Sequence, residues 1–308
     1  MVLLLQTSGD PTPFVSEFAR RLPSLEMRVW PNIGNPMEID YAFVTRLKPG
    51  IFRAMGNLKF VASVLAGVEH LLGDTDIAPD VPIVRTGSRS GDAMMTEYVL
   101  LHVLRHHRNL PIYAQQQSQR RWERIPPMLA QERHVGFMGL GLLGLPAALC
   151  VRSNGFKVSA WTRTPRNEPG IDCFHGDQGL RVFLARSEIL VNLLPSTRQT
   201  ENIINESLLA QLPAGAHFIN LARGQHVVDA ELLAALDTGH LAAATLDAYR
   251  VEPLPADSPL WMHPKITIMP HVARRVLASD SVPQVVNNIL RSRAGEPLMN
   301  LVDRHAGY

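Results

Sequence analysis

The sequence has few cysteines, little net charge and no long apolar run, and each shortage argues against one or more classes of protein. The two cysteines, Cys150 and Cys173, are too few for a disulfide framework, and no Cys/His spacing resembles a zinc site. The 30 basic and 28 acidic residues leave a net charge of +2, which gives no reason to expect nucleic acid or a membrane surface as a partner. The apolar run at 2–5 lacks the basic flank of a signal peptide, and no run is long enough to span a bilayer. We therefore expect a cytoplasmic protein without a metal site.

Short apolar runs alternate with helical patterns along the whole chain, which is typical of parallel sheets covered by helices. The first hundred residues carry five such runs, predicted as strands at 2–5, 27–30, 42–44, 60–64 and 83–84. A second series starts at Val135 and continues with predicted strands at 157–161, 189–193, 217–221, 243–246 and 266–269. The two series predict an α/β protein with two doubly wound parallel-sheet domains.

Helices are predicted between and after these strands from the spacing of apolar residues. A long helix at 91–107 carries Met95, Val99, Leu100 and Val103 on one face. The segment 113–124, which is rich in Gln and Arg, is predicted as an extended arm or connector. Other helices are predicted around Phe14 and Phe18, at 229–236 with Asp229 as the N-cap, and around 282–290.

A glycine-rich turn follows the predicted strand at 135–138 and opens a helix. Gly139, Gly141 and Gly144 form a GxGxxG pattern. In dinucleotide sites the first glycine permits the tight turn, the second lets the backbone approach a pyrophosphate, and the third allows close packing of helix and strand. The same spacing also occurs in an ordinary βαβ turn. We predict a dinucleotide site here because a strand precedes the glycines, and a helix and a second strand follow.

The segment after the second strand of this series decides which nucleotide is expected. NAD sites usually place Asp or Glu about 20 residues beyond the glycines, where it bonds the ribose 2′-hydroxyl. This chain has Trp161-Thr162-Arg163-Thr164 there, without a carboxylate. Arg163 is able to hold a 2′-phosphate as a bidentate fork, so NADPH is favoured over NADH. The alternative is that Arg163 and Arg166 are solvated loop charges.

Three charged residues follow the later strands, at the sheet edge where open α/β proteins bind ligands. They are Arg223, Glu252 and His271. An arginine can hold a substrate carboxylate and polarise a keto oxygen, and a histidine can protonate that oxygen as hydride arrives. A carboxylate beside the histidine keeps it protonated near neutral pH. This set predicts reduction of a 2-keto acid, although a lone histidine after a proline is also common in loops and cores.

The sequence around these residues resembles the D-isomer-specific 2-hydroxyacid dehydrogenases, and within them the glyoxylate/hydroxypyruvate reductase group of the bacterial NADPH-linked type. The similarity covers nearly the whole chain. The matching segments are 65–69, 95–100, 139–144, 192–197, 220–224, 246–255, 270–273 and 302–308.

The resemblance implies a division of the chain and a set of roles. A flavodoxin-like substrate domain would comprise 1–97 and 275–308, a Rossmann dinucleotide-binding domain would comprise 98–274, and the ligand would bind in a cleft between them. Arg223, Glu252 and His271 would be catalytic, and the subunits would form a homodimer. The substrate would contact Leu65, Ala66 and Gly67 besides Arg223 and His271. The cofactor would contact the three glycines together with Thr96, Leu142, Leu143, Trp161, Thr162, Arg163, Thr164, Leu194, Pro195, Ser196, Ala222 and Asp247. For Asp247 the alternative is a helix or turn cap.

The resemblance implies NADPH-dependent reduction of glyoxylate and hydroxypyruvate, with His271 as the proton donor. Two other hypotheses stay open, namely a non-catalytic nucleotide-sensing protein on the same scaffold and a dehydrogenase acting on another substrate such as formate or phosphite. The chain departs from related reductases at Thr45-Arg46-Leu47-Lys48 and at Ala273-Arg274-Arg275-Val276. The cations Arg46, Lys48, Arg274 and Arg275 either bind a second acidic group of the substrate or lie in solvent.

Overall fold

The fold was analysed in a computed structural model that describes residues 1–65, 67–87 and 89–304. The chain divides into two compact units. The first unit comprises Met1–Gly91 and Arg275–Tyr308, and the second comprises Asp92–Arg274. The boundary at Gly91 and the boundary predicted at 97/98 both fall within one helix, Arg89–His107. None of the helices in the described ranges is long and apolar enough to cross a membrane.

The described residues form twelve strands and nine α-helices. The strands are β1 (Val2–Gln6), β2 (Glu26–Val29), β3 (Ile39–Val44), β4 (Phe60–Ser63), β5 (Ile83–Arg85), β6 (His134–Met138), β7 (Lys157–Thr162), β8 (Asp172–His175), β9 (Ile189–Asn192), β10 (Ala216–Asn220), β11 (Leu241–Leu246) and β12 (Ile266–Ile268). The helices are α1 (Thr12–Arg21), α2 (Glu69–Leu72), α3 (Arg89–His107), α4 (Leu110–Ser118), α5 (Gly144–Ser153), α6 (Gly176–Leu184), α7 (Glu206–Leu209), α8 (Asp229–Asp237) and α9 (Ala278–Ala294).

The first unit is built on a five-stranded parallel sheet in the order β2-β1-β3-β4-β5, which is the flavodoxin-like order. Because helices cover both faces of such a sheet, its strands are nearly continuous apolar runs, and Leu3, Leu4 and Leu5 are fully buried. On one face Phe18 of α1 and Val282 of α9 pack in one cluster with the strands.

The second unit contains a seven-stranded parallel sheet in the order β12-β11-β10-β9-β6-β7-β8. Counted within the unit from β6, this is the Rossmann order 3-2-1-4-5-6 with one more strand at the edge. On one face Val99 of α3 and Val151 of α5 pack against the strands, and on the other Phe183 of α6 and Leu232 of α8 do so. The structure therefore confirms the predicted pair of doubly wound α/β domains.

Two local predictions are wrong. Asp229 is not the N-cap of α8, because the extended backbone at Val228 already forms the cap and Asp229 is the first helical residue. Its charge lies in the first turn, where the helix dipole favours it. The segment predicted as an arm at 113–124 continues α4 to Ser118, because Pro111 starts a helix at little cost and the following Ala and Gln residues favour it.

Candidate active site

The glycine-rich turn between β6 and α5 has the three features that a dinucleotide requires. Gly139 has a φ of +98°, a conformation that side chains disfavour. A Cβ atom at Gly144 would lie 2.2 Å from the carbonyl oxygen of Gly139, so this position must be glycine for α5 to approach β6. A Cβ at Gly141 would meet nothing within 4 Å, which leaves open space in front of the helix N-terminus. The turn therefore fits a bound pyrophosphate, whose site would lie at Gly141.

The segment after β7 lies against this turn. Arg166 donates hydrogen bonds to the carbonyl oxygen of Leu140 at 2.5 Å and to Glu168 at 2.6 Å, so this side chain, although exposed, ties the segment to the turn. Thr162 donates to the carbonyl of Thr164 at 2.9 Å, which shapes the turn that carries the exposed Arg163. This geometry keeps Arg163 in a turn tied to the glycines. Trp161, at the end of β7, donates its indole N–H to the carbonyl of Gly176 at 3.0 Å.

A buried network of amide side chains joins the segment after β9 to the segment after β10. Asn192 donates to Asn220 at 3.0 Å, and Asn220 donates to the backbone carbonyl of Arg223 at 3.0 Å. The side-chain oxygen Oδ1 of Asn192 accepts a hydrogen bond from the N–H of Leu194 at 3.2 Å, and its Nδ2 also lies 2.9 Å from Nδ1 of His226. Both asparagines are fully buried. They fix the predicted cofactor segment at 194–196 and the backbone of the predicted catalytic arginine as one unit.

Arg223 follows the buried Ala222 and is brought toward the segment after β11 by Gly224. A Cβ at Gly224 would lie 1.8 Å from the carbonyl carbon of Tyr249, so only glycine permits this approach of the two backbones. The guanidinium of Arg223 donates to the carbonyl of Ala222 at 2.8 Å.

Glu252 and His271 form a close pair, with Oε2 of Glu252 2.7 Å from Nδ1 of His271. Oε1 of Glu252 accepts the N–H of Tyr249 at 2.9 Å, which orients the carboxylate. The hydrogen bond to Glu252 raises the pKa of His271 above its ordinary value, although burial and the charge of Arg223 oppose this. Burial alone would raise the pKa of Glu252, but the bonds from His271 and Tyr249 and the charge of Arg223 together lower it. The structure thus pairs His271 with a carboxylate that raises its pKa, and the charge of Arg223 acts on both groups.

Asp247 holds the backbone that follows His271. Its carboxylate accepts the N–H groups of Val272 at 2.9 Å and Ala273 at 3.0 Å, and the hydroxyl of Tyr98 at 3.1 Å. Burial is the main cause that raises the pKa of Asp247, against these three bonds and the charge of His271. His271 itself has a φ of +54°, which is uncommon for a side-chain-bearing residue and is retained only where neighbouring contacts enforce it. Asp247 is therefore a turn cap, and its expected contact with the nicotinamide stays a prediction.

The predicted carboxylate-binding segment lies in the first unit, directly after β4. The hydroxyl of Ser63 donates to the carbonyls of Leu65 at 2.8 Å and Gly67 at 3.2 Å. The backbone N–H groups of Leu65 and Gly67 make no hydrogen bond with any residue in the described ranges. Two such donors near each other form a site for an anion. Ala66, predicted with them, lies outside the described residues.

The remaining predicted residues lie in α3 and in the segments after β6, β7, β9 and β12. Thr96 lies in α3 and donates its hydroxyl to the carbonyl of Asp92 at 2.8 Å. The largely buried Arg274 pairs with Asp92 at 4.0 Å, so it is not a solvated charge. In the described ranges no group of three or more His, Cys, Asp or Glu residues is arranged to hold a metal ion. The other predicted cofactor residues are the exposed Leu142 and Thr164, Leu143 at the N-cap of α5, and Pro195 and Ser196.

Sequence reasoning assigned no role to four of the residues that hold this site: Asn192, Asn220, Tyr98 and Tyr249. The hydroxyl of Tyr249 donates to the carbonyls of Leu246 at 2.7 Å and Met269 at 3.0 Å and so ties the ends of β11 and β12 together. A signal was present for the asparagines, since each is a polar residue at the end of an apolar run that becomes a strand.

Comparison with known proteins assigns the family. Residues 100–273 match the family model of the D-isomer specific 2-hydroxyacid dehydrogenase, NAD binding domain. The chain is 38% identical over 300 residues to a glyoxylate/hydroxypyruvate reductase A of Yersinia enterocolitica, and this covers 96% of both chains.

Two solved structures extend the comparison. A D-isomer specific 2-hydroxyacid dehydrogenase from Xanthobacter autotrophicus, in complex with NADPH and MES, has a TM-score of 0.95 and 42% identity and covers 100% of this chain and 99% of its own. An NADPH-dependent glyoxylate/hydroxypyruvate reductase from Sinorhizobium meliloti, in complex with NADP and sulfate, has a TM-score of 0.92 and 33% identity over 100% of this chain and 99% of its own. This chain therefore belongs to the D-isomer-specific 2-hydroxyacid dehydrogenase family.

Proposed function

We propose that this protein reduces small 2-keto acids, glyoxylate and hydroxypyruvate, to the corresponding 2-hydroxy acids with NADPH. The observation that carries the proposal is the pair of Glu252 and His271 at 2.7 Å, with the charge of Arg223 acting on both groups. The names and ligands of the similar reductases support the same activity.

The roles of the three residues follow from their protonation states. Nδ1 of His271 faces an acceptor-only carboxylate, so the Nε2–H of the imidazolium is the proton that is available to a substrate. Arg223 binds the substrate carboxylate and polarises the keto oxygen. NADPH, when bound, would supply the hydride for C2. His271 gives its Nε2 proton to the carbonyl oxygen, so that one hydride and one proton convert the carbonyl group into an alcohol. Glu252 favours the return of the proton to His271 from solvent.

In the first unit, the segment 65–67 is proposed to bind a carboxylate. Within the described ranges the N–H groups of Leu65 and Gly67 make no hydrogen bond, which supports this assignment because a carboxylate gains charge-assisted hydrogen bonds from such groups. We include Ala66 with them on the sequence resemblance alone.

The activity can be tested by replacing the proton donor. We expect His271→Gln to lower kcat by about 10²–10⁴-fold, the range for loss of general acid catalysis, with unchanged affinity for NADPH by calorimetry. Arg223→Ala should lower kcat and also raise KM for the keto acid. Full activity of His271→Gln with either substrate would refute the assignment of the proton donor.

The preference for NADPH is assigned to Arg163. Its turn is tied to the glycine-rich turn through Arg166, and the segment 161–164 offers no carboxylate to bond a free 2′-hydroxyl. We expect Arg163→Asp to shift the ratio of kcat/KM values toward NADH, while the matched charge reversal Arg181→Asp on the exposed face of α6 leaves the ratio unchanged. Equal kcat/KM for NADPH and NADH in the unaltered protein would contradict this role.

We also propose a homodimer in the cytoplasm. Apolar side chains on α3, α4 and the following segment are exposed, which is typical of an interaction surface. They include Leu101, 54% exposed, and Trp122, 89% exposed. Cys150 and Cys173, both free, suit a reducing compartment. Light scattering at micromolar concentration should give twice the chain mass, a monomeric mass would exclude the dimer, and cell fractionation tests the compartment.

A further inference from the structure

Two cations stand together at the carboxyl edge of the sheet in the first unit. Arg46 and Lys48 follow β3, and both are exposed. Within the described ranges neither the guanidinium of Arg46 nor the ammonium of Lys48 makes a hydrogen bond or an ion pair with another residue. Positive charge without a protein partner at a ligand-binding edge is available to an anion.

The backbone that carries these cations is fixed. Oε1 of Gln6, at the end of β1, accepts the N–H of Thr45 at 2.9 Å, the hydroxyl of Thr45 at 2.6 Å and the N–H of Arg46 at 2.9 Å. Leu47, between the two cations, is 5% exposed and packs in the core of the unit. The backbone is therefore held on both sides of Arg46, so that it loses little conformational freedom when a ligand binds.

The cations line an open recess of about 290 Å³ together with Trp30, Leu47 and Pro49. The carboxylate of Asp76 accepts a hydrogen bond from the N–H of Gly50 in this loop. Its other oxygen accepts a hydrogen bond from Arg53 at 2.6 Å. The recess thus combines two unneutralised cations with an apolar wall from Trp30.

The same edge carries Leu65 and Gly67, whose N–H groups make no hydrogen bond with another residue of the described ranges. Val44 of β3 pairs with Ser63 of β4, and the N–H of Val64 donates to the carbonyl of Val44 at 3.0 Å. Arg46 and Leu65 therefore follow neighbouring strands, which lie about 4.8 Å apart in a sheet. A ligand whose first carboxylate binds at Leu65 and Gly67 would have its other end on the side of the neighbouring loop that carries the cations.

We propose that Arg46 and Lys48 form a subsite for a second carboxylate, so that the enzyme accepts dicarboxylic 2-keto acids and prefers them to monocarboxylic 2-keto acids of the same chain length. The proposal rests on the function proposed above and adds the substrate class. Arg46 offers a bidentate fork to the distal carboxylate, and Lys48 adds a point charge on the same side.

The test compares substrates that differ only in the distal group, with NADPH and the purified full-length protein. Oxaloacetate is matched with 2-ketobutyrate, and 2-ketoglutarate with 2-ketovalerate; the second pair makes the result independent of the spontaneous decarboxylation of oxaloacetate. Glyoxylate is measured in parallel as the test of the proposed function. In at least one pair we expect kcat/KM to be roughly tenfold or more higher for the dicarboxylic acid, mainly through KM, as charge-assisted hydrogen bonds would give.

Three variants assign the preference to its residues. Arg46→Gln and Lys48→Gln should each reduce the ratio of kcat/KM for the dicarboxylic acid to kcat/KM for its monocarboxylic match, and the double variant should bring that ratio close to one. Lys59→Gln, which removes a positive charge before β4 at the opposite edge of the same sheet, should leave the ratio unchanged.

The outcomes separate the two proposals. Reduction of glyoxylate with equal kcat/KM in both matched pairs would overturn the dicarboxylate subsite alone. A preference for dicarboxylic acids that survives in the double variant would overturn its assignment to Arg46 and Lys48. Failure to reduce any of the acids, glyoxylate included, would overturn the proposed function and this inference with it.

Discussion

Alanine at two glycines of the same turn should have opposite consequences for folding and for cofactor binding. A Cβ at Gly144 would lie 2.2 Å from the backbone oxygen of Gly139, where nothing can give way cheaply, so we expect Gly144→Ala to lower the free energy of unfolding by about 1–3 kcal/mol. A Cβ at Gly141 would meet nothing within 4 Å, so Gly141→Ala should leave that free energy within about 1 kcal/mol of the unaltered value. The methyl group would instead occupy the space that a pyrophosphate needs.

Thermal unfolding with and without NADPH measures both effects. At a concentration of about 100 times Kd, NADPH should stabilise the unaltered protein by roughly 2.7 kcal/mol. If the methyl group weakens binding tenfold, Gly141→Ala should gain only about 1.4 kcal/mol at the same concentration. Each kcal/mol corresponds to roughly 2–4 °C in Tm for a unit of this size. A full NADPH-induced shift in Gly141→Ala would refute the placement of the cofactor at this turn. A Tm without NADPH as low as that of Gly144→Ala would refute the open space at Gly141.

Three further predictions concern titration and the buried network. Because the bond to Glu252 raises the pKa of His271, kcat/KM should remain high at pH values above the ordinary pKa of histidine and should fall as the pH rises through the raised pKa. Glu252→Gln should move that fall to lower pH, and an unmoved profile would contradict the pairing. Burial lowers the pKa of both His102 and His217 to about 4, so between about pH 6.5 and 4 the unfolded chain binds more protons than the folded one. The free energy of unfolding, measured in urea, should therefore decrease as the pH is lowered through that window, by up to roughly 3 kcal/mol for each ring. A flat profile would show that the pKa values of these rings do not differ between the folded and unfolded states. Asn220→Ala should lower the free energy of unfolding, measured in urea, by about 1–3 kcal/mol and also lower kcat, because the backbone carbonyl of Arg223, the proposed catalytic arginine, loses its donor. Stability loss without any change in kcat would limit the network to folding.

The strands were the most predictable part of the fold, for a physical reason. Parallel strands covered on both faces are continuous apolar runs, and those of β1, β4 and β9 are visible as such in the sequence. β8 is absent from the prediction because it is a short edge strand, Asp172–His175, without a fully buried residue. The start of α4 depends on the left-handed conformation of Asn109, which no periodicity reveals.

The site divides in the same way between what linear spacing carries and what only neighbourhood in the sheet creates. Gly139, Arg223 and His271 follow strand ends, and local sequence is enough to mark them. The link from Asn192 to Asn220 exists because β9 lies beside β10, and the bonds from Asp247 to the backbone after His271 exist because β11 lies beside β12. Such contacts join residues 25 or more positions apart, so spacing along the chain cannot indicate them.

The central claim is that the chain catalyses a reduction rather than merely binding a nucleotide, and the stoichiometry of the reaction tests this most directly. Purified protein is incubated with NADPH and hydroxypyruvate, and the NADPH consumed is compared with the glycerate formed. We expect one glycerate for each NADPH oxidised, with turnover lost in His271→Gln. Protein that binds NADPH but oxidises none of it, with hydroxypyruvate or glyoxylate, would contradict the account and favour a nucleotide-sensing role.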